Sequence, residues 1–134
     1  MSTVTLTKDS IDEVITGEGI TLVDWWAEWC GPCKQFGPVF EAASEEHSDV
    51  VFGKIDTDAE QELAATFEIR SIPTLMVFRD QVLVFARPGA IPAVALDEII
   101  GQVRALDMDD VRKKIGEEEK AEDLEQTADG EKPA

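Results

Sequence analysis

From the N-terminus to about residue 106, short apolar runs with strand character alternate with segments whose apolar residues recur at helical spacing. This alternation limits the folds open to the chain more than any other feature. "TVTL" (Thr3 to Leu6) alternates as a strand does, and "SIDEVI" (Ser10 to Ile15) sets Ser10 and Glu13 at the spacing of a capping box. "ITLVDWW" (Ile20 to Trp26), preceded by Gly17 and Gly19, reads as a buried strand. Phe36, Val39, Phe40 and Ala43 then mark a helix, which Pro38 should kink by removing an amide donor. A strand follows at Val50 to Asp56 and a helix at Ala59 to Thr66. Thr74 to Phe78 and Val82 to Ala86 are two strands joined at "RDQ", and Ala95 to Leu106 is an amphipathic helix. The order βαβαβαββα predicts an α/β domain: a parallel sheet with helices on both faces, closed by a short antiparallel hairpin. Leu22, Phe40, Leu63, Phe67, Leu75, Val77 and Phe78 are its expected core.

Composition separates residues 1–106 from 107–134, where large apolar residues thin out. In the second part Met108, Val111 and Ile115 share one helical face. The expectation is therefore a short helix to about residue 115 and then disorder within an acidic tail. The net charge of −17 argues against nucleic acid and anionic membrane surfaces as partners, since both are polyanions. No apolar window is long enough to span a bilayer, and "MSTVTLTKDS" lacks the basic start and apolar run of a secretory signal. The expected location is the cytoplasm.

The two cysteines, Cys30 and Cys33, lie in "DWWAEWCGPCK", which also holds all three tryptophans. Structural zinc takes four ligands, and His47 is the only histidine; in "SEEHSD" it reads as a solvent-exposed helix end. No metal site is expected. A disulfide across two intervening residues closes a loop too small to remove much unfolded-state entropy, so it is a poor staple. The pair is there to react. Cys30 directly precedes a helix, where free amide donors favour a thiolate, and Cys33 lies one turn further in, shielded and second to act. Gly31 and Pro32 between them withhold one donor from the sulfur. Asp24 within "TLVDWW" is either on an exposed strand face or buried with a raised pKa, where it would accept the proton of Cys33.

"WCGPCK" after a buried strand, "SIPT" about forty residues later and a glycine after the hairpin together resemble the thioredoxin family over about Val4 to Leu106. The resemblance implies a central mixed β-sheet flanked by four helices, here with a C-terminal acidic extension. It implies Asp24 as the buried carboxylate and Lys54 as its neighbour, although Lys54 also reads as an ordinary snorkelling lysine. Trp26 and Trp29 match the active-site indoles, and Pro73 matches a proline preceded by a cis bond. Gly89 matches the small residue bordering the substrate groove. Trp29, Gly31, Pro32, Ile72, Pro73 and Gly89 would then surround Cys30, with Ile72 offering its backbone to an extended client. Trp25, Gln81 and Pro88 depart from the commoner family residues. The implied activity is reduction of protein disulfides with no bound cofactor. Electrons would come from NADPH through a flavin-dependent thioredoxin reductase, and the protein would be a monomer whose partners are that reductase and disulfide-containing clients. The rival expectation is a non-catalytic binding module that docks a partner through its groove or acidic tail.

Overall fold

A computed structural model describes residues 2–117. The chain divides into two units, one ending at Arg104 and one beginning at Ala105. The first unit runs β1 (Thr3–Thr5), α1 (Ile11–Ile15), β2 (Ile20–Trp26), α2 (Gly31–Glu46), β3 (Val51–Asp56), α3 (Gln61–Thr66), β4 (Thr74–Arg79), β5 (Val82–Pro88) and α4 (Ala93–Arg104). The strands form one sheet in the order β1-β3-β2-β4-β5. β1, β3 and β2 are parallel, whereas β4 runs antiparallel to β2 as well as to β5. The sheet is therefore mixed, as the family resemblance implies. The pattern-based reading placed the change of direction one strand too late, at the hairpin. The reason is local: α3 is short, and the 67–73 segment after it returns the chain along the far side of β2 rather than completing a parallel crossover.

Side chains of β2 alternate between two buried faces. Val23 and Trp25 cluster with Leu6, Ile11, Ile55, Met76 and Phe78, packed by Val14 and Ile15 of α1 and by Leu63 and Phe67 at α3. Leu22 and Asp24 point the other way, toward the face covered by α2 and α4, where Phe40 meets Phe52 edge-on at 5.1 Å. Each fully buried aliphatic side chain on these faces contributes about 1.5–3 kcal/mol, so β2 is held from both sides. Gly53 permits the close approach of Leu6, since a Cβ there would sit 2.9 Å from Leu6 Cγ. Of the expected core, Leu22, Phe40, Leu75, Val77 and Phe78 are buried, while Leu63 and Phe67 are partly so.

Two local expectations, the capping box and the exposed His47, are revised. Ser10 stands at the start of α1, but its Oγ makes no cap bond and instead accepts from the amide of Thr7 at 2.9 Å, so the capping box does not form. α2 runs through Pro38 as one helix, anchored by buried Phe36 and Phe40 on either side of it. His47 is half-buried rather than freely exposed. Its Nε2 lies 3.2 Å from Asp97 Oδ1 and its Nδ1 3.3 Å from the Arg104 guanidinium, which ties the end of α2 to α4.

In the second unit a helix, α5, spans 108–117, with Met108 buried and Val111 and Ile115 partly buried along one face. The disorder expected beyond it falls on 118–134, outside the described residues.

Candidate active site

β2 ends at Trp26, and a tight turn in which the Cys30 amide donates to the Ala27 carbonyl (3.2 Å) delivers Cys30 to the start of α2. Cys30 is the N-cap, with extended backbone angles, and Gly31 and Pro32 begin the helix. A proline is tolerated there because its missing amide would have had no helical partner. Cys30 and Cys33 are joined as a disulfide with their Cα atoms 5.2 Å apart. The Cys33 amide points at Cys30 Sγ, 3.2 Å away. The sulfur thus occupies the position of a capping oxygen, at the positive end of a 16-residue helix. Both cysteines are almost equally covered, 4% and 5% exposed. Shielding therefore does not separate them as expected from sequence, because in the disulfide each sulfur screens the other. What separates them is surroundings: Cys30 Sγ faces the Ile72 carbonyl oxygen at 3.6 Å, while Cys33 lines a pocket with Trp26 and Lys54.

Cys33 lines a cavity of about 350 Å3 together with Trp26, Pro38, Lys34, Glu41 and Lys54. Asp24 is fully buried on β2, in register with Lys54 on β3, and neither of its carboxylate oxygens has a hydrogen-bond partner. Burial pushes its pKa up to about 7, and the charge of Lys54 pulls it back only in part. The exposed-face alternative for Asp24 is thereby excluded. Lys54 itself is half-buried, its Nζ 5.2 Å from the centre of the Trp26 ring. It neighbours Asp24 without hydrogen bonding to it.

The other residues that the resemblance implies come from several parts of the chain. The Ile72–Pro73 peptide bond is cis. Pro73 is buried, and its carbonyl accepts from the Gly89 amide at 2.8 Å, which joins the two loops. Gly89 has φ 98°, in the left-handed region that favours glycine. Gly31 and Pro32 are exposed on the near side, and Trp29 is 70% exposed. Trp26 is half-buried, and Trp25 is wholly buried in the core on the opposite sheet face. Sequence reasoning missed Asp58, which accepts from Trp29 Nε1 at 2.9 Å and holds the exposed indole beside the cysteines. Its 29-residue separation from Trp29 leaves no local signal for the pairing.

The comparisons with known proteins agree with this geometry. The family model described as Thioredoxin matches residues 2–102. A protein of Streptomyces coelicolor described as putative thioredoxin 2 is 59% identical over 118 residues, 88% of each chain. Bacillus subtilis thioredoxin is 43% identical over 88 residues, 65% of this chain and 85% of that one. Among solved structures, Malassezia sympodialis thioredoxin superposes with a TM-score of 0.69 at 34% identity, over 75% of this chain and 90% of its own.

Proposed function

This chain belongs to the thioredoxin family of thiol–disulfide oxidoreductases, and we propose that it reduces disulfides of client proteins in the cytoplasm, recycled by an NADPH-dependent thioredoxin reductase. The observation that carries the reading is a helix-capping sulfur, Cys30, whose disulfide partner Cys33 lines a pocket with Lys54, the strand neighbour of the buried carboxylate Asp24 with its pKa near 7. In the reduced protein the Cys33 amide and the helix dipole would stabilise the Cys30 thiolate. That thiolate attacks one sulfur of a client disulfide, forming a mixed disulfide and releasing the other client sulfur as a thiolate. The client strand lies along Ile72, between Trp29 and Gly89, and pairs with its backbone. Asp24, ionised, takes the proton of Cys33; Lys54, which stands opposite Asp24 in the strand register, lines the same pocket as Cys33. Cys33 then attacks Cys30 Sγ, which closes the internal disulfide and releases the second client thiolate. Two electrons pass to the client, and the reductase returns two from NADPH without any cofactor bound to this chain.

Gly-Pro between the cysteines supports a reductant over an oxidant, because it adds no group that would favour the thiolate further. The absence of a helix long and apolar enough to cross a membrane, among the described residues, is compatible with the cytoplasmic setting. The decisive experiment is reduction of insulin disulfides with NADPH and a thioredoxin reductase. Turnover that depends on this chain is the expected result. Failure of the chemically reduced chain to cut insulin disulfides would overturn the reading in favour of a non-catalytic binding module.

A further inference from the structure

Seven basic residues serve the first 106 positions of a chain with net charge −17. Of the four arginines among them, Arg79 pairs with Asp80 and with the last carbonyls of α4, and Arg104 pairs with Asp49. The side chains of Arg70 and Arg87 are exposed and make no hydrogen bond or ion pair among the described residues. They line one pocket of about 310 Å3 with Phe67, Ile69, Met76 and Pro88. Arg70 also lines an adjoining cleft of about 180 Å3, whose walls include Trp29, Ile69 and Ile72. It therefore stands between that pocket and the groove that reaches Cys30.

The loop carrying Arg70 is fixed. The Ile69 amide donates to the Ala64 carbonyl at 2.8 Å, and Thr74 Oγ1 donates to the Ser71 carbonyl at 2.6 Å. Arg87 stands on β5, opposite Leu75 of β4. Two guanidiniums on rigid elements, with apolar walls beside them, suit a carboxylate side chain on a partly apolar segment. Glu68 shares the pocket and offsets one of the two charges, which leaves a local excess of one cation. A polyanion would meet the rest of this acidic surface. A single acidic side chain would not, since charges beyond about 8 Å are largely screened at physiological salt.

We propose that Arg70 and Arg87 bind an acidic side chain of the client segment, so that the protein prefers disulfides flanked by Asp or Glu. The inference rests on the reductase reading above and names the clients it favours. Arg70 precedes Ile72 by two residues, about 7 Å of extended chain, and the Ile72 carbonyl is 3.6 Å from Cys30 Sγ. The acidic residue should accordingly lie two or three positions from the attacked cysteine.

The test uses the full chain and paired peptide disulfides that differ only in carrying two Glu or two Gln at those positions, on either side of the cysteine. The ratio of kcat/KM for the Glu peptide to that for the Gln peptide is the readout. An exposed charge pair changes an association constant by up to about fivefold. The wild-type ratio should therefore be about 2 to 5 for one of the two placements at low salt, and should fall toward 1 in molar salt. Arg70→Gln with Arg87→Gln should bring the ratio to about 1, and Glu68→Gln should raise it. A wild-type ratio near 1 for both placements, or a ratio that survives the double substitution, overturns the proposal while the reductase reading stands. If no peptide of either kind is reduced, the reductase reading falls and this proposal falls with it.

Discussion

Asp24 concentrates the functional tension of the protein in one residue. Its folded pKa of about 7 against an ordinary 3.8 means that the unfolded chain ionises it first as pH rises. Stability from this group is complete below pH 3.8, declines as pH rises toward 7 and is flat above, a total of about 4 kcal/mol. Asp24→Asn should therefore stabilise the fold by about 2–4 kcal/mol at pH 8 and by almost nothing at pH 4, in denaturant unfolding curves. A less stable variant at pH 8 would contradict the burial argument. The same substitution should slow release of mixed disulfides and abolish the rise of that step through pH 7, read by stopped-flow kinetics. In the proposed reaction the thiols would divide the labour by position rather than exposure. Cys33→Ser should accumulate mixed disulfides on non-reducing gels and Cys30→Ser almost none; equal trapping would reverse the assignment.

At the scale of elements, the β4–β5 hairpin is the plainest departure from ideal local chemistry. Its two turn residues, Asp80 and Gln81, have φ of 49° and 75°, a geometry that favours glycine or asparagine. Asp80 is compensated: its Oδ1 accepts from the Gly19 amide at 2.8 Å, and its own amide donates to the Gly19 carbonyl at 2.9 Å. Gln81 is exposed, and among the described residues no side-chain hydrogen bond holds it in this conformation. Gln81→Gly should raise stability by about 1 kcal/mol, since a left-handed residue with a Cβ costs about 1–2 kcal/mol. Thermal unfolding checks this, and a lower melting temperature would show that Gln81 holds the turn by its side chain. The turn carries none of the groups the proposed reaction uses, so the disulfide-reduction rate should be unchanged.

For the molecule as a whole, the first unit contains every group the proposed reaction uses, from Asp24 to Gly89. A chain ending at residue 115 should keep the rate of insulin reduction within about twofold and most of the thermal stability, because the residues beyond offer Leu124 as their only large apolar side chain. A collapse of the rate on shortening would shift weight to the binding-module reading. Removing those residues also deletes more acids than bases, so association with charged partners should change in a way that fades with added salt.

The sequence by itself determined the element order, the central buried strand Ile20–Trp26 and the reactive pair at a helix start. All three depend on nearest neighbours along the chain: apolar periodicity, glycine punctuation, and a Pro placed where a helix needs no amide. Resemblance added Pro73 and Gly89, whose hydrogen bond to each other no local pattern encodes. Tertiary structure alone decided the rest. It set β4 antiparallel to β2, which depends on how a short helix and loop return the chain. It left Asp24 without a hydrogen-bond partner beside Lys54, a matter of register between two strands some thirty residues apart. It also paired Trp29 with Asp58 and drew His47 between Asp97 and Arg104. It brought Arg70 and Arg87 to one pocket while Arg79 and Arg104 were tied elsewhere. Side chains of the same type become different tools here because long-range packing, not local sequence, assigns their partners.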